Sequence, residues 1–248
     1  MKKLILIQND YPGTGKSTLA LCFRRYLQQY GVSHQLLFLT EEDTPAPAGS
    51  IPLDASTLTP NKFLAQVEAS PLTILDVGTG LGDFFNKFYL SAEMEQTLQA
   101  AGIALSVVLP VTADRESFDS VTEAAEVFSD NAEYLIAHLV TSCYDEDDKV
   151  WDTSYAARVM DMFEAVELHI PEITFHLELS TEHMSLDSAL QQGDAEERLG
   201  KEYAKWHRRV MGQVDSARQY LFGDAFRPTM APKPAKPARK PRAGKLAA

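Results

Sequence analysis

Two hydrophobic periods alternate along the chain. Short stretches dominated by apolar residues at 4–7, 34–40, 72–76, 103–109, 133–140 and 168–173 have the length and flanking turn residues of buried strands. Between them, apolar residues recur at spacings of three and four, predicting helices from residue 17 onward, over 61–69, over 83–101 as one or two helices, and over 151–166. Residues 194–222 predict one long helix with an apolar stripe of Leu199, Tyr203, Trp206, Val210, Val214, Ala217 and Leu221. Its opposite face carries Lys201, Lys205, Arg208, Arg209 and Arg218. Residues 45–60 are rich in Pro, Gly and Ser and show little period, so they predict a loop. Strands that alternate with helices predict an α/β fold with a mostly parallel, doubly wound sheet covered on both faces.

The sheet predicts its own functional edge. The first strand runs into Gln8-Asn9-Asp10-Tyr11-Pro12-Gly13-Thr14-Gly15-Lys16-Ser17-Thr18 and then into the first helix, which is the setting of a phosphate-binding loop. Gly13 and Gly15 allow the backbone N–H groups to turn inward at the positive end of the helix dipole. Pro12 and Thr14 complete the cradle. Lys16 is expected to be the cation for the β- and γ-phosphates of a nucleotide and Ser17 a ligand for Mg²⁺, with Thr18 adding a hydroxyl toward the α-phosphate. The general pattern has glycine at the place of Asp10. Residues 72–76 end in Asp76, the form of a strand whose carboxylate holds Mg²⁺ through water. The strand at 34–40 delivers Glu41, Glu42 and Asp43 to the same edge of the sheet.

Residues 9–18 resemble the deviant loop of the ParA/MinD ATPases, Asn-x-Lys-Gly-Gly-x-Gly-Lys-[ST]. Asp76-Val77-Gly78-Thr79-Gly80-Leu81-Gly82 resembles their Asp-x-Pro-Pro-Gly-Leu-Gly switch, and Pro110-Val111-Thr112 resembles a further strand end. The resemblance covers about residues 1–190 and implies a P-loop NTPase fold with a surface helix over 181–191, slow Mg²⁺-dependent ATP hydrolysis, a nucleotide-dependent homodimer, and a cargo of DNA or a positioned cellular assembly. It implies that the Gly80 amide senses the γ-phosphate, and that Glu42 or a neighbouring acid orients water, since Thr40 stands where the family has an acid. Tyr11 replaces the signature lysine, which in the family reaches the partner's nucleotide. Gly78 and Thr79 replace prolines, which implies a looser switch loop. The catalytic set on this basis is Lys16, Glu42 and Asp76. Two other functions fit the same loop: a small-molecule or nucleotide kinase, with Arg115 as its available loop arginine, and a non-hydrolysing nucleotide-binding adaptor.

Composition changes the picture in three places. At 248 residues and 45% hydrophobic, the chain has ample core for one domain. No apolar run approaches the ~20 residues of a membrane span, and the apolar opening stops at Gln8, so the expectation is a cytoplasmic protein without a transmembrane segment. The net charge of −12 is unevenly spread: residues 227–248 hold seven Lys and Arg and no acid, so residues 1–226 carry −19. The expected division is a nucleotide-binding domain over 1–226 and a disordered Pro/Lys/Arg-rich tail over 227–248, able with the last helix to meet DNA or an acidic partner. Cys22 and Cys143 have no metal spacing and are expected to be buried hydrophobes. The six histidines show no ligand spacing along the sequence, which disfavours a zinc enzyme. Ser117 is expected as a helix N-cap rather than a nucleophile.

Overall fold

The computed structural model describes residues 1–41, 46–47, 49–140, 149–171 and 197–229, the side chains of 140 and 197–203 excepted. The strands are β1 (Lys2–Ile7), β2 (Gln35–Thr40), β3 (Ile51–Asp54), β4 (Leu72–Val77), β5 (Ile103–Val111), β6 (Ala132–Val140) and β7 (Val166–Pro171). The helices are α1 (Lys16–Gln29), α2 (Pro60–Glu68), α3 (Gly82–Ser91), α4 (Met94–Ala100), α5 (Asp119–Phe128), α6 (Tyr155–Met162), α7 (Glu197–Ser216) and α8 (Arg218–Phe222). All seven strands are parallel, in the order β3-β2-β4-β1-β5-β6-β7. This is the α/β sheet that the alternating pattern predicts.

The strand order explains the distribution of the helices. The connection from β1 to β2 runs one way across the sheet, whereas those from β3 onward run the other way. Right-handed crossovers therefore put α1 on one face and α2 to α6 on the other. Residues of β1 alternate between the two cores: Leu4 and Leu6 face the layer with Phe63, Phe85 and Phe128, and Ile5 and Ile7 face the layer with Phe23 and Leu27. The α1 face would be left half covered by one helix. α7 and α8 return to cover the rest, burying Trp206, Val210, Val214, Ala217, Leu221 and Phe222 against it. Tyr26 stacks on Phe222 with ring centroids 5.6 Å apart and donates its hydroxyl to Asp215 over 2.5 Å, which locks α1 to the end of the chain. Thr229 binds back to the Tyr30 and Gly31 carbonyls.

Several expectations are corrected. The stretch read as loop from 45 to 60 contains β3, paired in parallel with β2. Pro52 and an exposed Ile51 conceal it in the sequence, and both are tolerated because β3 is an edge strand with only Leu53 well buried. The helix expected over 151–166 breaks at Thr153, and Ser154 caps α6 by accepting from the Ala157 N–H over 3.0 Å. The long last helix divides at Ala217 into α7 and α8. Ser117 is not an N-cap. It is buried in the 3₁₀ turn Arg115–Phe118, where its hydroxyl accepts from the Thr112 N–H and donates to the Asp114 carbonyl, while Asp114 caps the turn. The helix expected over 181–191 and the tail from residue 230 lie outside the described residues. Among the described residues no helix is long and apolar enough to cross a membrane.

Candidate functional site

The loop between β1 and α1 lies at the carboxyl edge of the central strand, flanked by β4 and β5. Gly13 and Gly15 adopt φ of 78° and 74°, a left-handed conformation that other residues enter at a cost. Gly15 occupies the N-cap of α1 without any side-chain cap. The first-turn N–H groups of a 14-residue helix are therefore presented at the loop, where an anion would complete them.

Lys16 is buried at the start of α1, and its ammonium donates to the Asn9 carbonyl over 2.5 Å and to the Thr79 hydroxyl over 3.2 Å. Burial lowers its pKa, against the opposing pull of Asp76 and Asp10. The contact with Thr79 joins the loop to the segment after β4. That segment is a tight turn closed by Leu81 N–H to Gly78 O at 3.1 Å, with Gly80 at φ 81° in the position that a type II turn reserves for glycine. Gly78 donates its N–H to the Leu39 carbonyl over 2.9 Å, a bond that a proline there would forfeit, and a Cβ at 78 would lie 2.7 Å from the same oxygen. Gly78 and Thr79 each anchor the turn through a hydrogen bond.

Asp76 ends up at the centre of the site. It is 1% exposed, and neither carboxylate oxygen has a hydrogen-bond partner. Burial raises its pKa from 3.8 to about 6; the Ser17 hydroxyl and the Lys16 charge temper the rise, though Ser17 closes no full hydrogen bond on either oxygen. A buried carboxylate with two open oxygens, beside a hydroxyl and a lysine, suits a divalent cation that takes oxygen ligands. Ser17 and Asp76 therefore fit Mg²⁺.

The other acids differ. Glu42 lies outside the described residues, Glu41 is exposed, and Thr40 at the end of β2 spends its hydroxyl on the Glu41 carbonyl. Asp10 accepts from the Gly82 and Asp83 N–H groups over 2.8 and 3.2 Å, so it caps α3 from another part of the chain. A Cβ on Gly82 would sit 2.8 Å from those oxygens, which accounts for glycine there. Tyr11 donates to the Asp114 carboxylate; that bond raises the tyrosine's pKa and lowers the aspartate's. Sequence reasoning missed the cap because its partners are over 70 residues apart and no local pattern announces them.

Beside the loop an apolar cavity of about 350 Å³ opens between Gly13, Gly15, Thr18, Leu139, Ile170 and Trp206. Trp206 closes one wall, its indole N–H bound to the Pro171 carbonyl over 2.6 Å. Cys22 also lines it, and burial pushes that thiol up to about 12, so it behaves as a small hydrophobe. Cys143 lies outside the described residues.

No protein-family model matches the chain, and no curated protein matches it. Among solved structures it is similar to the MinD cell division protein of Aquifex aeolicus, at 15% identity and a TM-score of 0.43, over 85% of this chain and 97% of that one. A MinC:MinD cell division protein complex from the same organism gives 15% identity and a TM-score of 0.43, over 85% and 96% of the two chains. Likeness at this level leaves the chemistry to be judged on the residues of the site.

Proposed function

We propose that this protein is a nucleotide-dependent switch of the ParA/MinD type, binding ATP with Mg²⁺ at the loop after β1. The observation that carries the reading is the buried, unpartnered carboxylate of Asp76 beside Ser17 and Lys16. Lys16 supplies charge to the phosphates, the open N–H groups at the start of α1 bind their oxygens, and Ser17 and Asp76 hold the metal. Mg²⁺, when bound, neutralises phosphate charge and orients the terminal phosphoryl group. The apolar cavity beside Thr18 has room for a nucleobase, and the turn at Gly80 is the element through which the loop's occupancy reaches α3.

A non-hydrolysing variant of the same switch has its own support. Thr40, at the position where the ParA/MinD type has an acid, spends its hydroxyl on the Glu41 carbonyl, Asp10 in the loop caps α3, and Tyr11 bonds Asp114 within its own chain. Binding and turnover of ATP, GTP and ADP with Mg²⁺ are to be measured for the wild type and Lys16→Ala, with oligomeric state followed in the same samples. Loss of the lysine should weaken ATP about 10–100-fold, the worth of a charged hydrogen bond. ATP-dependent dimerisation with slow turnover supports the switch; tight binding of an unchanged nucleotide supports the adaptor; equal binding by Lys16→Ala overturns both.

A further inference from the structure

The histidines lack ligand spacing along the chain, yet the sheet brings two of them together with a carboxylate. His138 on β6 stands opposite His169 on β7, and Glu167, two residues earlier on β7, shares their face. The two imidazoles stack with centroids 5.0 Å apart and planes 20° from parallel. His138 Nε2 lies 3.2 Å from Glu167 Oε2, and one ligand atom from each of the three residues falls within 4.8 Å of the others.

We infer that His138, Glu167 and His169 form a binding site for a first-row divalent transition-metal ion, for which Zn²⁺ is the probe. An ion held tetrahedrally at about 2.0–2.2 Å from each ligand sets its donors roughly 3.3–3.6 Å apart. The His138–Glu167 pair, at 3.2 Å, stands close to that spacing, and the three ligand atoms all lie within 4.8 Å of one another. Two nitrogens and one oxygen are the donor set of sites that keep a fourth position open, and the exposure of Glu167 leaves that position accessible.

The surroundings are built to hold the ligands in place. Glu167 Oε1 accepts from the Trp151 indole over 3.0 Å, which fixes the carboxylate and leaves Oε2 to the metal. Trp151 also stands edge-on to His138 at 5.2 Å, and is itself held by Phe118 at 5.2 Å. Imidazole ligands select Zn²⁺, Cu²⁺ or Ni²⁺ over Mg²⁺, so this site differs in chemistry from the all-oxygen pair Ser17 and Asp76. Bound metal would clamp β7, the last strand of the sheet, to β6.

The test is calorimetric titration of the full chain with Zn²⁺, made in an Asp76→Asn background so that the site at the loop lacks its carboxylate ligand, alongside the visible spectrum with Co²⁺. One ion should bind at micromolar concentration or below, with the intense bands of four-coordinate Co²⁺. Trp151→Phe should weaken it about 10–100-fold by releasing the carboxylate. Glu167→Gln and His169→Gln, at partly exposed positions that tolerate change, should each weaken it further than that. A folded protein that takes up no Zn²⁺ at millimolar concentration, or uptake unchanged in both Gln variants, overturns the proposal.

Discussion

The two halves of the loop after β1 are built on opposite principles. From Asn9 to Tyr11 every side chain is committed: the Asn9 amide donates to the Pro110 and Ser117 carbonyls and its oxygen accepts from the Tyr11 N–H, Asp10 caps α3, and Tyr11 bonds Asp114. From Gly13 to Thr18 the loop is left open, with two glycines at positive φ, an uncapped helix start and a metal-competent hydroxyl facing an unpartnered carboxylate. The contrast teaches that scaffold and site are separate along the chain. The first half fixes where the loop sits between α3 and the end of β5; in the second, Lys16 is held by the Asn9 carbonyl and the Thr79 hydroxyl, while the helix start and the Asp76 carboxylate it faces stay open.

The largest expected effect lies in the open half. Asp76 has a folded pKa of about 6 against 3.8 in the absence of burial, so ionisation costs stability as pH rises from about 4 to about 6, and the full cost stands above that. Asp76→Asn should therefore stabilise the metal-free protein by about 3 kcal/mol at pH 7 while abolishing its response to Mg²⁺. The gain should vanish below about pH 4, where Asp76 is protonated in both states. Chemical denaturation in chelator at several pH values measures it, and a destabilised variant at pH 7 would remove the contrast.

A smaller effect of opposite sign belongs to the committed half. Asp10→Ala removes the cap of α3 and should cost about 0.5–2 kcal/mol. Gly82→Ala should be harmful in the wild type and close to neutral once Asp10 is Ala, because the clash is with that carboxylate. Full additivity of the two changes in thermal denaturation would separate Asp10 from α3. The smallest effect is expected for Tyr11→Phe, which removes an exposed bond to Asp114 and should move the thermal midpoint by no more than about 2 °C.

Much of this fold is legible in the sequence because fully buried parallel strands are written as unbroken apolar runs. β1, β4 and β5 are such runs, and the glycines and lysine of the loop follow β1 directly. β3 is not legible, since an edge strand with one buried residue needs no apolar run and accepts Pro52. Of the candidate site, Gly13 and Gly15 take positive φ in the loop, and Lys16 and Ser17 stand beside Asp76. The cap by Asp10 and the group of His138, Glu167 and His169 are invisible along the chain, because both join residues that only the folded sheet makes neighbours. The apolar stripe of α7 is legible as amphipathic, though its partner surface becomes apparent only from the strand order.

The most direct measurement is a calorimetric titration of ATP into the wild type and Asp76→Asn, each with Mg²⁺ and with chelator. Mg²⁺ should strengthen ATP binding to the wild type and make no difference to the variant. Equal affinity with and without Mg²⁺ in the wild type, or the same enhancement in Asp76→Asn, would contradict the assignment of Ser17 and Asp76 to the metal and with it the role given to the open half of the loop.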